Sequence, residues 1–580
     1  MGKTEFINGI IAQMTIEQKI GQCVVVGMSG TQITNDLREA IIQYHCGGIR
    51  LSPFTRIFRY FSDSQAKPQE LGPDYTPSRQ KLHKPGPPPY LSPEEFAARL
   101  NELRDLAATR EPAIPLHMAI DQEGDTSKDF SRGGVVRYPS NMGMVASGDP
   151  ELAYRIARGI ARQMKASGLD MIHSPVVDVN INPQNPEIGH RAFSDDPQVV
   201  AEYAAAMVRG FKEEKVIAAA KHFPGRGDSV TDAHHACPCL DVDLKRFYEV
   251  ELYPYRKLIE AGVDAIMVAH GMYPRIDPDF ISTVSRKIVT GLLREKLGFQ
   301  GLITTDSMTM GALIDRYGIG DSCAMALAAG ADLILMKAEN SWRGEMFYTI
   351  RKYVADGRIS RAELEEKVRR ILALKYDYGM FDHMGKVDAV QAGAAFREPI
   401  VVETAKEAAR RAILIAKDEP KALPLRKDRK ILLINQQNSI KSPNDSFDHP
   451  ALFQELLETE LPELQTYETN FGWNADDEAE VLRFVAENQF ELILCTHFYD
   501  RTEKPHEYVK TLIDRGYPVV LITNTPYCIE GIGGMIPEAP TIILNMNLTP
   551  EGYRITRDVL LNRVQPEGSW PLANYNPFNL

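Results

Sequence analysis

The stretch "IAAAKHF" at residues 217–223 indicates the fold most directly. Four small or apolar residues come first, and Lys221 and His222 follow at the carboxyl end. An apolar run without polar alternation is typical of a parallel β-strand that is buried on both faces. Polar residues at the end of such a strand suit a fold whose functional site lies at the carboxyl edge of its sheet.

Seven other runs in the first 340 residues repeat this pattern. They are "CVVVG" (23–27), "GGIRL" (47–51), "LHMAI" (116–120), "MIHSPV" (171–176), "AIMVAH" (265–270), "LITTD" (302–306) and "DLILM" (332–336). Helix-like segments such as 150–168 and 243–262 lie between them and end at glycine, as helices often do. Eight strand–helix units predict a (β/α)8 TIM-type barrel. An open, doubly wound sheet is the alternative.

The pattern changes after about residue 375. We expect a barrel domain over 1–375, a linker over 376–400 and an α/β sandwich domain over 401–580, with its strands at 430–435, 491–498, 518–524 and 541–546. The fold class is therefore α/β throughout. A proline-rich insertion at about 53–95 interrupts the barrel. A lid, a dimer contact and a disordered surface loop are all open for it.

Composition limits the partners. The 66 basic and 78 acidic residues give a net charge of −12, which argues against nucleic acid or an anionic membrane as partner. No apolar run is long enough to span a bilayer. Seven dispersed cysteines and a start without an apolar leader favour a cytoplasmic protein. A homo-oligomer stays open.

The segment "KHFPGRGDSVTDAHH" at residues 221–235 carries the chemistry. Asp232 and His234 are two residues apart and face the same way in an extended loop. A carboxylate there could hold one imidazole nitrogen and raise the basicity of the ring, as a general acid/base requires. His235 faces the other way, so His234 is preferred. A solvated loop with incidental charges is the alternative.

Asp306 provides the second group. Its carboxylate ends the buried run 302–306. A carboxylate that attacks an anomeric carbon, opposite a group that protonates the departing oxygen, is the arrangement that glycoside cleavage needs. Histidine would be an exceptional proton donor, although a pKa near neutrality suits proton transfer in both directions.

At this point the chain resembles the β-N-acetylglucosaminidases of glycoside hydrolase family 3. Their signature K-H-F-P-G-H-G-D-x4-D-S-H reads "KHFPGRGDSVTDAH" here, and "AIDQEGD" (119–125), "IMVAHGMYP" (266–274), "TTDSM" (304–308) and residues 175–197 also resemble family segments in the same order. "PEGSWPL" (566–572) resembles the tail of the family's second domain. The resemblance implies Asp306 as nucleophile, His234 as acid/base with Asp232 as its orienting partner, and sugar contacts from Asp121, Arg191, Lys221 and His222. It implies no metal and no organic cofactor.

The expected function is therefore a retaining, exo-acting β-N-acetylglucosaminidase that works through a covalent glycosyl-aspartate intermediate on a small carbohydrate substrate. A phosphate-using phosphorylase stays open, because a histidine does not repel an incoming anion as a carboxylate would. Arg226, which stands where the family usually has histidine, could help. A β-glucosidase or β-xylosidase, a catalytically silent binding protein and an enzyme acting on a phosphate ester also stay open. Arg191 could instead form a structural ion pair with Asp195 or Asp196.

Overall fold

The first half of the chain is a closed barrel of eight parallel strands, β1 to β8 in chain order. The computed structural model describes residues 2–28, 31–51, 91–125, 129–130, 133–233, 236–336, 342–419, 421–438, 452–470, 475–499, 506–529 and 533–579. The closed ring rules out the open sheet and confirms the barrel prediction. The proline-rich insertion lies almost wholly outside the described residues.

The strands of the barrel are β1 Val24–Met28, β2 Gly48–Leu51, β3 His117–Ile120, β4 Met171–Ile172, β5 Ile217–Phe223, β6 Ala265–Val268, β7 Leu302–Ser307 and β8 Leu333–Met336.

The strands follow the apolar runs because both of their faces are buried. Every residue of β1, β5 and β8 is buried, which requires an apolar run rather than an alternating one. β4 is the exception, since only two residues of the run 171–176 form the strand. Pro175 lies inside that run and has no N–H to donate to a neighbouring strand.

Helices between the strands cover the barrel, and several begin at side-chain caps. Ser92 and Ser360 each form a capping box with the glutamate three residues later. Asp149 and Asp196 each cap a helix that starts with proline. In the described residues these helices are α1 Lys3–Gln13, α2 Ile16–Gln22, α3 Asn35–Ile42, α4 Pro93–Ala108, α5 Asn141–Ala146, α6 Pro150–Ala166, α7 Pro197–Glu213, α8 Leu244–Glu249, α9 Tyr253–Glu260, a π-helix Lys287–Lys296, α10 Gly311–Tyr317, α11 Ile319–Ala329, α12 Trp342–Ala355 and α13 Arg361–Asp377.

The second half of the chain contains a six-stranded sheet in the order β11-β10-β12-β13-β14-β9. All neighbours are parallel except β9, which runs antiparallel to β14. The strands are β9 Ile413–Asp418, β10 Ile431–Asn438, β11 Gln465–Asn470, β12 Leu492–Thr496, β13 Val519–Thr523 and β14 Thr541–Asn545, and the helices are α14 Ala392–Ala395, α15 Pro399–Arg411, α16 Leu452–Glu460, α17 Ala475–Glu487, α18 Tyr508–Asp514 and α19 Pro550–Leu560.

Both faces of this sheet are covered by helices. Leu432 and Ile493 pack in one apolar cluster with residues of α17 and α18. Their neighbours Leu433 and Leu494 pack in another cluster with residues of α16 and α19. Successive strand residues point to opposite faces, so the two clusters are separate layers. This arrangement confirms the predicted α/β sandwich.

The two halves share part of their core. Met142 and Ala146 of α5, a barrel helix, belong to the same apolar cluster as Leu432 of β10. The backbone N–H of Ser140 donates to the carbonyl of Met546 at 3.1 Å. Within the described ranges, no helix combines the length and the apolar character that crossing a bilayer requires.

Candidate active site

Most of the residues predicted for the site lie at the carboxyl ends of the barrel strands. Asp121 follows β3, Lys221 and His222 are among the last three residues of β5, and Asp306 is the penultimate residue of β7. Arg191 lies on the loop between β4 and α7. Parallel strands of a barrel all open their carboxyl ends on the same face, so the fold brings these side chains to one mouth.

Asp121 lies among three basic side chains. It forms an ion pair with Arg50 of β2, and the Nζ of Lys221 is 3.1 Å from its Oδ1. The Nδ1 of His173 lies 3.2 Å from the same oxygen. Burial alone would raise the pKa of Asp121, but Arg50 and Lys221 outweigh it and hold the pKa well below its usual range. Asp121 is therefore an ionised acceptor.

Glu123 and Arg191 form a buried, two-pronged pair. The Nε and Nη2 of Arg191 each lie 3.0 Å from one oxygen of Glu123. The Nζ of Lys221 contacts the same carboxylate at 2.5 Å. Burial opposes the charge, yet Arg191 and Lys221 together lower the pKa of Glu123. The alternative interpretation, an ion pair of Arg191 with Asp195 or Asp196, is not what the structure has, because Arg191 pairs with Glu123.

His222 is held by Asp178. Its Nδ1 lies 2.7 Å from the Oδ2 of Asp178, and the backbone N–H of Arg226 donates to the Oδ1 at 2.8 Å. Burial raises the pKa of Asp178 to about 6, although Arg226 opposes the shift. Burial, then the nearby arginines, hold the pKa of His222 well below its usual range. The ring of His222 is therefore an uncharged polar group fixed in orientation.

Asp306 is the carboxylate at the end of β7, with 15% of its side chain exposed. The backbone N–H of Ser307 donates to its Oδ1 at 2.7 Å. The Nη2 of Arg226 is 3.7 Å from its Oδ2. A partly open carboxylate at the end of a buried strand is accessible from the mouth of the barrel.

The loop after β5 that contains Asp232 and His234 is only partly described. His234 lies outside the described residues, so its predicted pairing with Asp232 stays a prediction. Asp232 is half-buried, and the backbone N–H of its neighbour Ala233 donates to the Oε2 of Glu187 at 3.3 Å. The other oxygen of Glu187 lies 2.8 Å from the Nη2 of Arg226. Glu187 thus connects this loop to the surroundings of Asp306.

Gly227 is needed in this loop for close packing. A Cβ at this position would lie 1.8 Å from the carbonyl oxygen of Val179. The backbone of the loop rests directly on the segment that follows β4, so this position requires glycine.

The second domain holds the barrel loops that carry the site. Asp195 accepts hydrogen bonds from the backbone N–H groups of Ala573, Asn574 and Tyr575 at 2.7–2.9 Å. The Nδ2 of Asn180 donates to the hydroxyl of Tyr527 at 2.8 Å. Further contacts join Leu548 to Asp125 and Tyr499 to Pro186. The tail of the second domain, from Pro571 to Tyr575, therefore packs against the barrel loop that carries Arg191.

Arg50, Glu123 and Glu187 were not predicted as residues of the site. Glu123 and Glu187 stand inside the segments 119–125 and 175–197, so the sequence held a signal for both. Arg50 is a charged residue near the end of an apolar run, the same signal that Lys221 gave. Among the described residues, no group of three or more His, Cys, Asp or Glu side chains could hold a metal ion.

Comparison with known proteins agrees with this geometry. The family description "Glycosyl hydrolase family 3 N terminal domain" matches residues 15–374. Beta-hexosaminidase A of Pseudoalteromonas piscicida is 31% identical over 296 residues, which are 47% of this chain and 50% of that protein. The beta-N-acetylglucosaminidase/beta-glucosidase of Cellulomonas fimi is 32% identical over 361 residues, 60% of this chain and 62% of that protein. The match thus spans half to somewhat under two thirds of these two relatives.

A solved structure extends the similarity to the second domain. The glycoside hydrolase family 3 β-N-acetylglucosaminidase from Paenibacillus sp. str. FPU-7 superposes with a TM-score of 0.79 at 26% identity. The alignment covers 97% of this chain and 99% of that one. With its barrel matched over 360 of 580 residues, the chain belongs to glycosyl hydrolase family 3.

Proposed function

We propose that the protein is a retaining, exo-acting β-N-acetylglucosaminidase that removes terminal β-linked N-acetylglucosamine. The observation that carries this proposal is the position of Asp306. Its carboxylate is partly open, and Arg226 and Glu187 connect it to the loop that contains Asp232 and His234. A nucleophile beside a loop that carries a proton donor is what a retaining glycosidase requires.

In the proposed reaction, Asp306 attacks the anomeric carbon while His234 protonates the departing glycosidic oxygen. The glycosyl ester of Asp306 is then cleaved by water, which gives its proton to His234, and the anomeric configuration is retained. Asp232 orients the imidazole. Histidine is an unusual donor in this role, and its ordinary pKa near 6.5 allows it to give and take the proton in turn.

Recognition of the sugar is proposed for Asp121, Arg191, Lys221 and His222. Asp121 is ionised and offers two acceptor oxygens, Lys221 and Arg191 are donors, and the neutral ring of His222 offers a donor or an acceptor. Arg50, Glu123 and Asp178 lie beside these four side chains and balance their charges. The site as a whole therefore suits a neutral ligand with many hydroxyl groups.

The experiment compares aryl and alkyl β-N-acetylglucosaminides in wild type and variants. Asp306→Ala is expected to abolish turnover. His234→Ala is expected to slow substrates with poor leaving groups far more than activated aryl glycosides, because only poor leaving groups need protonation. His235→Ala, the adjacent imidazole, is the matched control and is expected to behave like wild type. Equal losses on both substrate classes in His234→Ala would argue against the acid/base role.

Phosphorolysis is a second candidate. Arg226 places a buried cation 3.7 Å from Asp306, where it could help an incoming anion approach the intermediate. Product formation that depends on phosphate and yields a sugar 1-phosphate would establish it.

A β-glucosidase or a β-xylosidase is the other alternative. A panel of substrates that includes aryl β-glucosides and β-xylosides tests it directly. The cytoplasmic location and a homo-oligomer stay predictions, which cell fractionation and light scattering would test.

A further inference from the structure

Arg226 is fixed by its backbone next to the site. It is buried, with 2% of its surface exposed. Its N–H donates to Asp178 at 2.8 Å, and its carbonyl accepts from the Nδ2 of Asn185 at 2.8 Å. The preceding carbonyl of Gly225 accepts from the hydroxyl of Tyr273 at 2.8 Å. The side chain therefore starts from a position that two segments of the barrel define, the loop after β4 and the loop after β6.

The guanidinium of Arg226 bridges two carboxylates. Its Nη2 is 2.8 Å from Glu187 and 3.7 Å from Asp306. Its Nε and Nη1 are buried and make no hydrogen bond to any described residue. Burial would lower the pKa of Arg226, but Glu187 and Asp306 outweigh it and raise the pKa. A permanent cation therefore faces Asp306 in a site from which most water is excluded.

The two oxygens of Asp306 have different neighbours. Oδ1 accepts a hydrogen bond from the backbone N–H of Ser307, and Oδ2 faces Arg226. Both neighbours favour the ionised carboxylate over a neutral form. In a covalent intermediate Asp306 is an uncharged ester, and it recovers its negative charge only when the ester is cleaved. A cation at Oδ2 consequently favours the cleavage step over the formation of the ester.

We propose that Arg226 is a positioning residue that stabilises the Asp306 carboxylate as the leaving group when the glycosyl-enzyme intermediate is hydrolysed. This inference rests on the proposed function. In the step concerned, the bond from the anomeric carbon to the Asp306 oxygen breaks and its electron pair stays on the carboxylate. A water oxygen forms the new bond to the anomeric carbon, and the proton of that water goes to the acid/base group.

A purely structural role for Arg226 makes a different prediction. Loss of its charge leaves Glu187 in a buried site without its closest cation, which destabilises the fold. Such damage would lower kcat and kcat/KM by the same factor and leave KM unchanged, because less of the enzyme is active. A specific effect on ester cleavage lowers kcat and KM in parallel and leaves kcat/KM nearly unchanged, because kcat/KM reports only the steps up to formation of the intermediate.

The experiment uses the full chain with an activated aryl β-N-acetylglucosaminide. We compare Arg226→Gln, Arg226→Lys and the double variant Glu187→Gln/Arg226→Gln with wild type by pre-steady-state and steady-state kinetics. The double variant neutralises Glu187 together with Arg226, and thermal unfolding of each variant reports on folding. Arg226→Gln is expected to lower kcat by on the order of 10- to 100-fold. KM should fall with it, and a burst of aryl product equal to the enzyme concentration should appear.

Other results of the same experiment support or overturn the inference. Partial recovery of kcat in Arg226→Lys and no recovery in the double variant support it. Equal losses of kcat and kcat/KM in Arg226→Gln, no loss at all, or recovery in the double variant would overturn it. A wild-type enzyme without glycosidase activity would instead overturn the proposed function, so the two failures are distinguishable.

Discussion

Arg191 binds Glu123 through two of its guanidinium nitrogens, each 3.0 Å from a different carboxylate oxygen, and both side chains are buried. This geometry fixes the plane of the guanidinium, and the carboxylate also neutralises its charge. The third nitrogen, Nη1, lies 3.9 Å from Glu187. Glu123 is thus the residue that sets where Arg191 points.

Glu123→Gln tests this relationship. The amide removes one acceptor oxygen and leaves Arg191 and Lys221 short of negative charge, so we expect a loss of about 3 to 5 kcal/mol in the free energy of unfolding. We also expect KM for the sugar substrate to rise about tenfold, because Arg191 is no longer oriented. Thermal unfolding and steady-state kinetics measure the two effects. In the double variant Glu123→Gln/Arg191→Met, stability should recover and KM should stay high. Recovery of both would contradict a role of Arg191 in binding the sugar.

Asp195→Ala tests the contact between the domains. The substitution removes the acceptor of three backbone N–H groups at 573–575, so we expect a loss of about 2 to 4 kcal/mol and earlier proteolytic cleavage of this segment. Limited proteolysis followed by mass spectrometry locates the cut. Asp196→Ala is the matched control, since Asp196 caps α7 and its loss should cost about 1 kcal/mol without exposing 573–575. Similar cleavage in both variants would contradict the assignment.

Gly227→Ala tests the packing of the loop after β5. The new methyl group would overlap the carbonyl oxygen of Val179, so the loop or the segment after β4 has to move. We expect a loss of more than about 3 kcal/mol in stability, together with lower activity. Gly344→Ala in α12 is the control, because a Cβ there meets no described atom within 4 Å and should stabilise the helix by about 0.5 to 1 kcal/mol. Denaturant unfolding compares them, and a neutral Gly227→Ala would refute the close packing.

Glu251 should make the free energy of unfolding fall as the pH rises. Burial raises its pKa from 4.5 to about 7, although the Nη2 of Arg246 lies 2.7 Å away. Folding therefore favours the protonated carboxyl, and its contribution to stability is complete below pH 4.5 and is lost as the pH rises through about 7. Relative to Glu251→Gln, which is neutral at every pH, wild type should lose about 2 to 3 kcal/mol between about pH 5 and about pH 8.

Unfolding at a series of pH values measures this difference. Glu249→Gln changes an exposed carboxyl two residues away and should leave the pH dependence of the wild type in place. A difference between wild type and Glu251→Gln that stays constant over the same pH range would show that Glu251 does not titrate as its burial implies.

The sequence predicted the bounds of a strand best where every residue of that strand is buried. Seven of the eight barrel strands begin and end within about two residues of their apolar runs, because a parallel strand covered on both faces tolerates few polar residues. The edge strands β9 and β11 were not predicted. "QTYETN" of β11 pairs on one side only and is largely polar, so it gives no apolar run.

The sequence predicted the residues of the candidate site that stand in local motifs, but it did not predict how they pair. Lys221, His222 and Asp306 stand at strand ends that the apolar pattern locates. The pairing of Arg50 with Asp121, and of Glu187 with Arg226, joins residues on different strands and loops. Only the closure of the barrel brings them together, and a linear pattern cannot specify which charges then become neighbours.

The anchorage of Asp195 also orders events during synthesis. It binds a backbone segment that begins 378 residues further along the chain, so a ribosome has translated both sheets before the loop beside Arg191 acquires its last support. Contacts at such separation close late in folding. A nascent barrel therefore lacks this support until the second domain has been synthesised.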